Sequence, residues 1–431
     1  MIELFTQLGV EIEDRWRAID YDETRFPALA AEALRQAELP AKVSAWDVLE
    51  WTLAQRELPR QMDVPARFGD PPITLFVAPR FYIDVYFWFQ GTTSVHQHAF
   101  CGAFQVLHGS SIHSWYEFEA DESVNAFMEF GRMGLKVCEL LERGDVHEIR
   151  AGRQYIHSLF HLDHPSATIV VRTGKSPLFL PQYDYHKPWI ASDPFFEHET
   201  TVKKLQTISA VMRFDAERAD DAIVRLLADS DIHTTFLLLS NIYGRVGGSG
   251  LGEMFGLAAP GRGRFQRFLD AVTERHGPER AAKLSDVFRH RERIDELIGR
   301  RAVVTDPEHR FFLALLLNVE GRERIYSLIR ERFADADPEE KVLDWSFDLA
   351  RTRINAVGSQ NALGIADFDD FDLYVLEALL DDKDEAVIAG SIRAEYPPER
   401  AETLLPRLSE RIAAIRSSTA FAPLLAGRDA S

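Results

Sequence analysis

The stretch Gly91-Thr92-Thr93-Ser94-Val95-His96-Gln97-His98-Ala99-Phe100-Cys101-Gly102, followed by Gly109, decides how this chain is read. His96 and His98 stand two apart. On a strand both rings leave the same face, and two imidazoles so spaced can hold one divalent ion where that face is concave. Residues 80–90 before the pair are apolar and aromatic, residues 103–108 after it read as another strand, and glycines mark the turns. Working outward, residues 73–172 break into short runs rich in Val, Ile, Phe, Tyr and Trp, among them ITLFVA, RFYIDVYFWF, AFQVLH, SIHSWYEFE, DVHEI and SATIVVRT. No helical pattern between them is long enough for a parallel crossover, which predicts an antiparallel sandwich or barrel.

Helices are expected on both sides. Before residue 71, Ser44 reads as an N-cap with Asp47 three residues on, and Trp46, Leu49 and Leu53 recur at helical spacing. After about residue 195, Asp306-Pro307 and Asp337-Pro338 each place a capping carboxylate before a proline in the first helical position, and Leu343, Phe347 and Ile354 follow at helical spacing. The expected class is α+β multidomain: a short helical arm over 1–71, an antiparallel β-barrel over 72–190 and a large all-α region over 199–431.

Composition narrows the partners. Among 431 residues, 68 acidic against 49 basic side chains give a formal charge of -19, a field that repels phosphate backbones and anionic head groups. Neither nucleic acid nor a membrane is an expected partner. Cys101 and Cys138 allow one bridge at most, which fits a reducing compartment. Glu3, Glu11, Glu13 and Asp14 occupy the stretch where a signal peptide would be apolar, and the longest later apolar run is 311–317, so the expected location is the cytoplasm. One count is out of the ordinary: of 14 histidines, ten fall between His96 and His198, and the last 233 residues hold four. Histidine is the commonest metal ligand, so chemistry is expected in that segment.

With these residues in view, the segment resembles the cupin superfamily of small β-barrels, over about residues 72–187. The first cupin motif reads G-x5-H-x-H-x3,4-E-x6-G. Here His98-x3-Gly102-x6-Gly109 keeps its spacing, with Gly102 at the glutamate position and Gly91 one residue closer than usual. The second motif, G-x5-P-x-G-x2-H-x3-N, is matched more loosely. Gly144 and Gly152 keep its separation, Arg150 stands at the proline, Tyr155 at the histidine with His157 two residues later, and His161 where the asparagine would follow.

Lacking the glutamate, the chain is similar to the three-histidine, cysteine dioxygenase-like branch. That resemblance implies a non-haem iron(II) oxygenase, with zinc, manganese or nickel as other metals. His96, His98 and His157 would be the ligands, His161 and His164 competing for the third place. Dioxygen and a small acidic substrate, a thiol among the candidates, would take the open positions. The run YFWFQGTTSVHQH resembles the branch's tryptophan-glycine-HxH stretch and puts Tyr86 and Trp88 on the pocket wall. Where the branch has Ser-x-His-x-Tyr after its third ligand, this chain offers Thr168-x-Val170-x-Arg172, and the branch's cysteine-tyrosine crosslink has no partner here. Arg172 is instead the candidate to present a bidentate guanidinium to a substrate carboxylate or phosphate.

Plainer readings stand beside these: strand histidines bonded to backbone, Tyr86 and Trp88 as core, Arg172 solvated at a strand end. His108, His113 and His147 read as structural or surface. The alternative function is a metal- or ligand-binding cupin module without turnover, whose helical region contacts a protein partner or a second copy. Other motifs fail. The glycine-rich 244–252 segment lacks both the G-x-G-x-x-G order and the G-K-[ST] ending, and reads as a helix-helix loop. Asp367-Phe-Asp369-Asp370-Phe-Asp372 lacks the glycine and the glutamate of a calcium loop and reads as a solvated helix start. His290-x-Glu292 and Glu308-His309 lack the partners of a four-helix di-iron site.

Overall fold

The computed structural model describes residues 1–66, 68–89, 93–246, 261–301, 303–353 and 361–425; Gln90, Gly91, Ile354 and the glycine-rich 247–252 lie outside the described residues. The chain divides into two compact units, Met1–Glu197 and His198–Ser431.

In the first unit, helices α1 (Ile2–Arg17), α2 (Phe26–Ala37), α3 (Leu39–Lys42) and α4 (Ala45–Ala54) precede the strands. Phe5, Leu8, Ile12 and Trp16 recur at helical spacing along α1 and are at most 2% exposed, so one stripe of the helix is buried. Ser44 starts α4 through a reciprocal capping box with Asp47.

Eleven strands follow: β1 (Pro72–Val77), β2 (Phe81–Trp88), β3 (Val95–His98), β4 (Gly102–His108), β5 (Ser111–Asn125), β6 (Met128–Leu141), β7 (Val146–Ile149), β8 (Gly152–His161), β9 (Ser166–Thr173), β10 (Asp184–His186) and β11 (Ile190–Ser192). They form a five-stranded sheet, ordered β1-β2-β9-β4-β7, and a six-stranded barrel, β10-β11-β6-β5-β8-β3. Every strand pairing is antiparallel. This is the antiparallel β-barrel with a helical arm that the strand pattern predicts.

The two faces of the five-stranded sheet have separate work because side chains alternate along a strand. On β2, Phe81, Ile83, Val85 and Phe87 join Ile169 and Val171 of β9 and the apolar stripes of α1 and α2 in one core. Each large apolar side chain buried there contributes about 1.5–3 kcal/mol. The alternate residues Tyr86 and Trp88 belong to a second cluster with Phe100, Phe104, Tyr155, Leu159 and Val170. β4 and β9 pair with Gly102 opposite Arg172. A Cβ at Gly102 would stand 2.0 Å from the Val171 carbonyl oxygen and 2.9 Å from the Arg172 Cα. The strands approach too closely for any side chain, so the glutamate of the cupin motif has no room here.

The regular elements described in the second unit are helices, apart from one isolated antiparallel bridge between Arg353 and Asn361. Asp306 and Asp337 cap the helices Pro307–Asn318 and Pro338–Arg351 by accepting from backbone N–H groups of their first turns. Asp369 caps Asp370–Leu380 in a box with Asp372. The helix start is as the sequence suggests, and Asp367, Asp369 and Asp370 are exposed, but Asp372 is not. Asp372 is fully buried and paired with the Arg411 guanidinium, Nη2 to Oδ2 at 2.8 Å. No helix among the described residues is long and apolar enough to cross a membrane.

Candidate metal centre

Strand pairing builds the centre. β3 runs antiparallel to β8 with His96 opposite His157. His98 follows two residues along β3, and the ring centroids of the three histidines are 4.7, 4.8 and 5.0 Å apart. One nitrogen from each ring lies within 4.8 Å of the others. His157 sits two residues beyond the family's spacing, a displacement that keeps the same strand face; Tyr155, at the strict position, packs beside it at 4.3 Å.

All three imidazoles are 4% exposed. Burial holds them below the ordinary histidine range, helped by their mutual repulsion at His98 and His157 and opposed by Asp184 at His96. They are therefore neutral, the form that coordinates metals. His96 Nδ1 lies 2.8 Å from the Ser94 carbonyl oxygen, which can only accept, so Nδ1 carries the proton and Nε2 the lone pair. That Nε2 is buried with no hydrogen-bond partner, as is Nδ1 of His98. His98 Nε2 faces His157 Nε2 at 2.9 Å. Two nitrogens bound at right angles to one ion, each at ~2.1 Å, stand ~3.0 Å apart. An unpartnered buried acceptor, a close nitrogen pair and a neutral three-imidazole set together fit a divalent transition metal.

The histidines border a cavity of about 40 Å³ whose other walls include Phe68, Tyr86, Trp88, Phe104, Leu159 and Val170. Tyr86 and Trp88 thus stand on the wall. The Tyr86 hydroxyl donates to Asp84 Oδ2 at 3.1 Å and accepts from Arg172 Nη1 at 3.4 Å, and Trp88 Nε1 donates to Thr168 Oγ1 at 3.1 Å. Arg172 lies behind Phe100, its guanidinium 3.2 Å from that ring's centroid, with Nε buried and unpartnered. Phe100 in turn packs at 4.4 Å on His98.

The two rivals for the third ligand place are elsewhere. His161 stacks on Trp88 at 4.9 Å and hydrogen-bonds through Nδ1 to Ser166 Oγ at 2.7 Å, while His164 is exposed. Neither belongs to the group around His157, and no further His, Cys, Asp or Glu among the described residues joins it. Cys101 is buried away from the cavity, its Sγ 3.6 Å from the Glu23 carbonyl oxygen, and burial pushes its thiol up to about 11.

Sequence reading missed what stands behind His157. His113 is fully buried, with Nε2 3.0 Å from His157 Nδ1 and Nδ1 3.0 Å from Glu139 Oε1. His147 completes a second group, its Nδ1 3.8 Å from the same carboxylate oxygen. The hydrogen bond from His113 holds the Glu139 carboxyl below its usual range, so it is ionised. A signal was present in the period-two set His113, Trp115 on β5 and Tyr155, His157 on β8, which strand pairing brings face to face.

No family model and no curated protein matches the chain. Among solved structures, it is similar to a cupin-2 domain containing protein from Shewanella frigidimarina, at 12% identity over 31% of this chain and 97% of that one, with a TM-score of 0.19. An uncharacterized conserved protein with a double-stranded beta-helix domain from Klebsiella pneumoniae matches at 13% identity over 28% and 93%, TM-score 0.18. The DMSP lyase DddQ from Ruegeria pomeroyi matches at 14% identity over 41% and 94%, TM-score 0.21.

Proposed function

We propose that the chain is a metal-dependent oxygenase of the three-histidine cupin type. Iron(II) is held by His96, His98 and His157, and dioxygen acts on a small acidic substrate, a thiol being one such class. The observation that carries this reading is the convergence of three neutral imidazoles, without a further His, Cys, Asp or Glu among the described residues, on a small cavity walled by aromatic and aliphatic side chains. When bound there, the ion supplies open coordination positions and redox chemistry towards dioxygen.

The chain's own residues do the rest. Three uncharged ligands leave the ion's positive charge uncompensated, which favours an anionic chelating substrate over a neutral one. Tyr86, Trp88, Phe100 and Phe104 exclude water, and the cavity's size selects a substrate of few heavy atoms. Tyr86 presents its ring to the cavity, held in place by the hydroxyl contacts with Asp84 and Arg172. Arg172 adds positive charge beside the wall and steers a carboxylate inward.

The test is oxygen uptake by the iron-loaded chain offered a panel of small thiols and carboxylates, with zinc-loaded protein and His96→Ala beside it. Uptake that needs iron and His96 supports the proposal. Uptake equal in the His96→Ala variant, or metal binding with no uptake on any substrate, contradicts it, the latter favouring a binding module.

A further inference from the structure

His157, His113 and Glu139 form a chain of three hydrogen-bonding groups that ends in a half-exposed carboxylate. His113 is a cross-strand partner of Glu139 on β6, so strand register, not side-chain chance, sets their contact. The proton count along the chain is fixed by chemistry. An ionised carboxylate only accepts, so the 3.0 Å contact with Glu139 Oε1 places a proton on His113 Nδ1. A neutral His113 then has a lone pair on Nε2, which accepts, across 3.0 Å, from a proton on His157 Nδ1. His157 is left with its own lone pair on Nε2, the nitrogen that faces His98.

We propose that Glu139, acting through His113, is a positioning residue that fixes His157 as the Nδ1–H tautomer, so that Nε2 presents its lone pair to the metal cavity. This rests on the reading of His157 as a ligand. Trp115 pulls the other way. Its indole Nε1 donates to His113 Nδ1 at 2.9 Å, which fits the opposite tautomer and would leave His157 Nε2 protonated. The charge of the carboxylate decides, since a hydrogen bond to an ionised acceptor is roughly twice as strong as one between neutral groups. Tyr155 assists, its hydroxyl 3.2 Å from His113 Nε2 and able to donate to a lone pair there. Removing the carboxylate leaves Trp115 to set the tautomer, since the Tyr155 hydroxyl can equally accept from a proton on Nε2.

Glu139 is half-exposed, so its variants keep the fold. The experiment compares wild type, Glu139→Ala, Glu139→Gln and His147→Ala in two readouts. The first is the ring-nitrogen chemical shifts of His157 in ¹⁵N-histidine-labelled, metal-free protein. Wild type should show Nδ1 protonated, and Glu139→Ala should move the proton to Nε2. The second is zinc affinity against a competing chelator: Glu139→Ala should bind about 10- to 100-fold more weakly. Glu139→Gln, which keeps an accepting oxygen without the charge, should fall between, and His147→Ala should match wild type. The same tautomer in wild type and Glu139→Ala, or unchanged affinity, overturns the proposal. So does loss of one of two bound metal equivalents in His147→Ala, which would make His113, Glu139 and His147 a metal site of their own. If wild type binds no metal, the functional reading fails, while the nitrogen shifts still decide the role of Glu139.

Discussion

Two histidine clusters touch inside one barrel, and they differ in how their nitrogens are used. Around His113, both ring nitrogens have partners: Glu139 and Trp115 on one side, His157 and Tyr155 on the other. Around His96 and His98, two buried nitrogens have none. An unsatisfied buried acceptor costs about 1–3 kcal/mol, so the lone pair on His96 Nε2 calls for a ligand, whereas each nitrogen of His113 already has a partner, two of them competing for Nδ1. Counting histidines does not separate them. Accounting for every donor and lone pair does.

The contrast can be broken most sharply by substitution. His98→Ala or His157→Ala should reduce iron-dependent oxygen uptake to background, whereas His147→Ala, in the satisfied cluster, should leave it within about twofold; equal losses in all three would erase the distinction. Next in size is Gly102→Glu. With the Val171 carbonyl oxygen 2.0 Å from where its Cβ would stand, the variant should lose about 3 kcal/mol or more in denaturant unfolding. A variant as stable as wild type that bound metal more tightly would show that a carboxylate fits after all.

A third effect is read in pH. Burial depresses His113 to about 4, against about 6.5 for an unfolded histidine. Between those values the unfolded chain binds the extra proton. Stability conferred by neutral His113 is therefore complete above about pH 6.5 and is lost as pH falls towards 4, by at most about 3 kcal/mol. The difference between metal-free wild type and His113→Asn should slope accordingly, and parallel curves would contradict a buried neutral His113. The smallest effect belongs to Trp88→Phe, which removes the N–H donated to Thr168 while keeping the aromatic wall. It should cost about 1 kcal/mol of stability and leave metal affinity unchanged.

Much of the fold was legible because it rests on local patterns. The alternation on β2 divided Phe81, Ile83, Val85 and Phe87 from Tyr86 and Trp88, and the two sets enter different cores. The caps at Ser44, Asp306 and Asp337 were legible for the same reason, since a cap is decided within four residues. The HxH pair was readable from spacing alone. What spacing could not decide was non-local. The choice of His157 over His161 depends on the pairing of β3 with β8, and the partners of His113 depend on the pairing of β5 with β6 and β8. Burial of Asp372 likewise depends on Arg411, 39 residues away along the chain.

The central claim is that His96, His98 and His157 together hold a metal ion. It is tested most directly by measuring metal equivalents per chain in protein purified without added chelator, wild type beside His96→Ala. The account predicts one equivalent in wild type and none in the variant. Equal occupancy in the two proteins, or a wild type that takes up no iron, manganese, nickel or zinc, would contradict it.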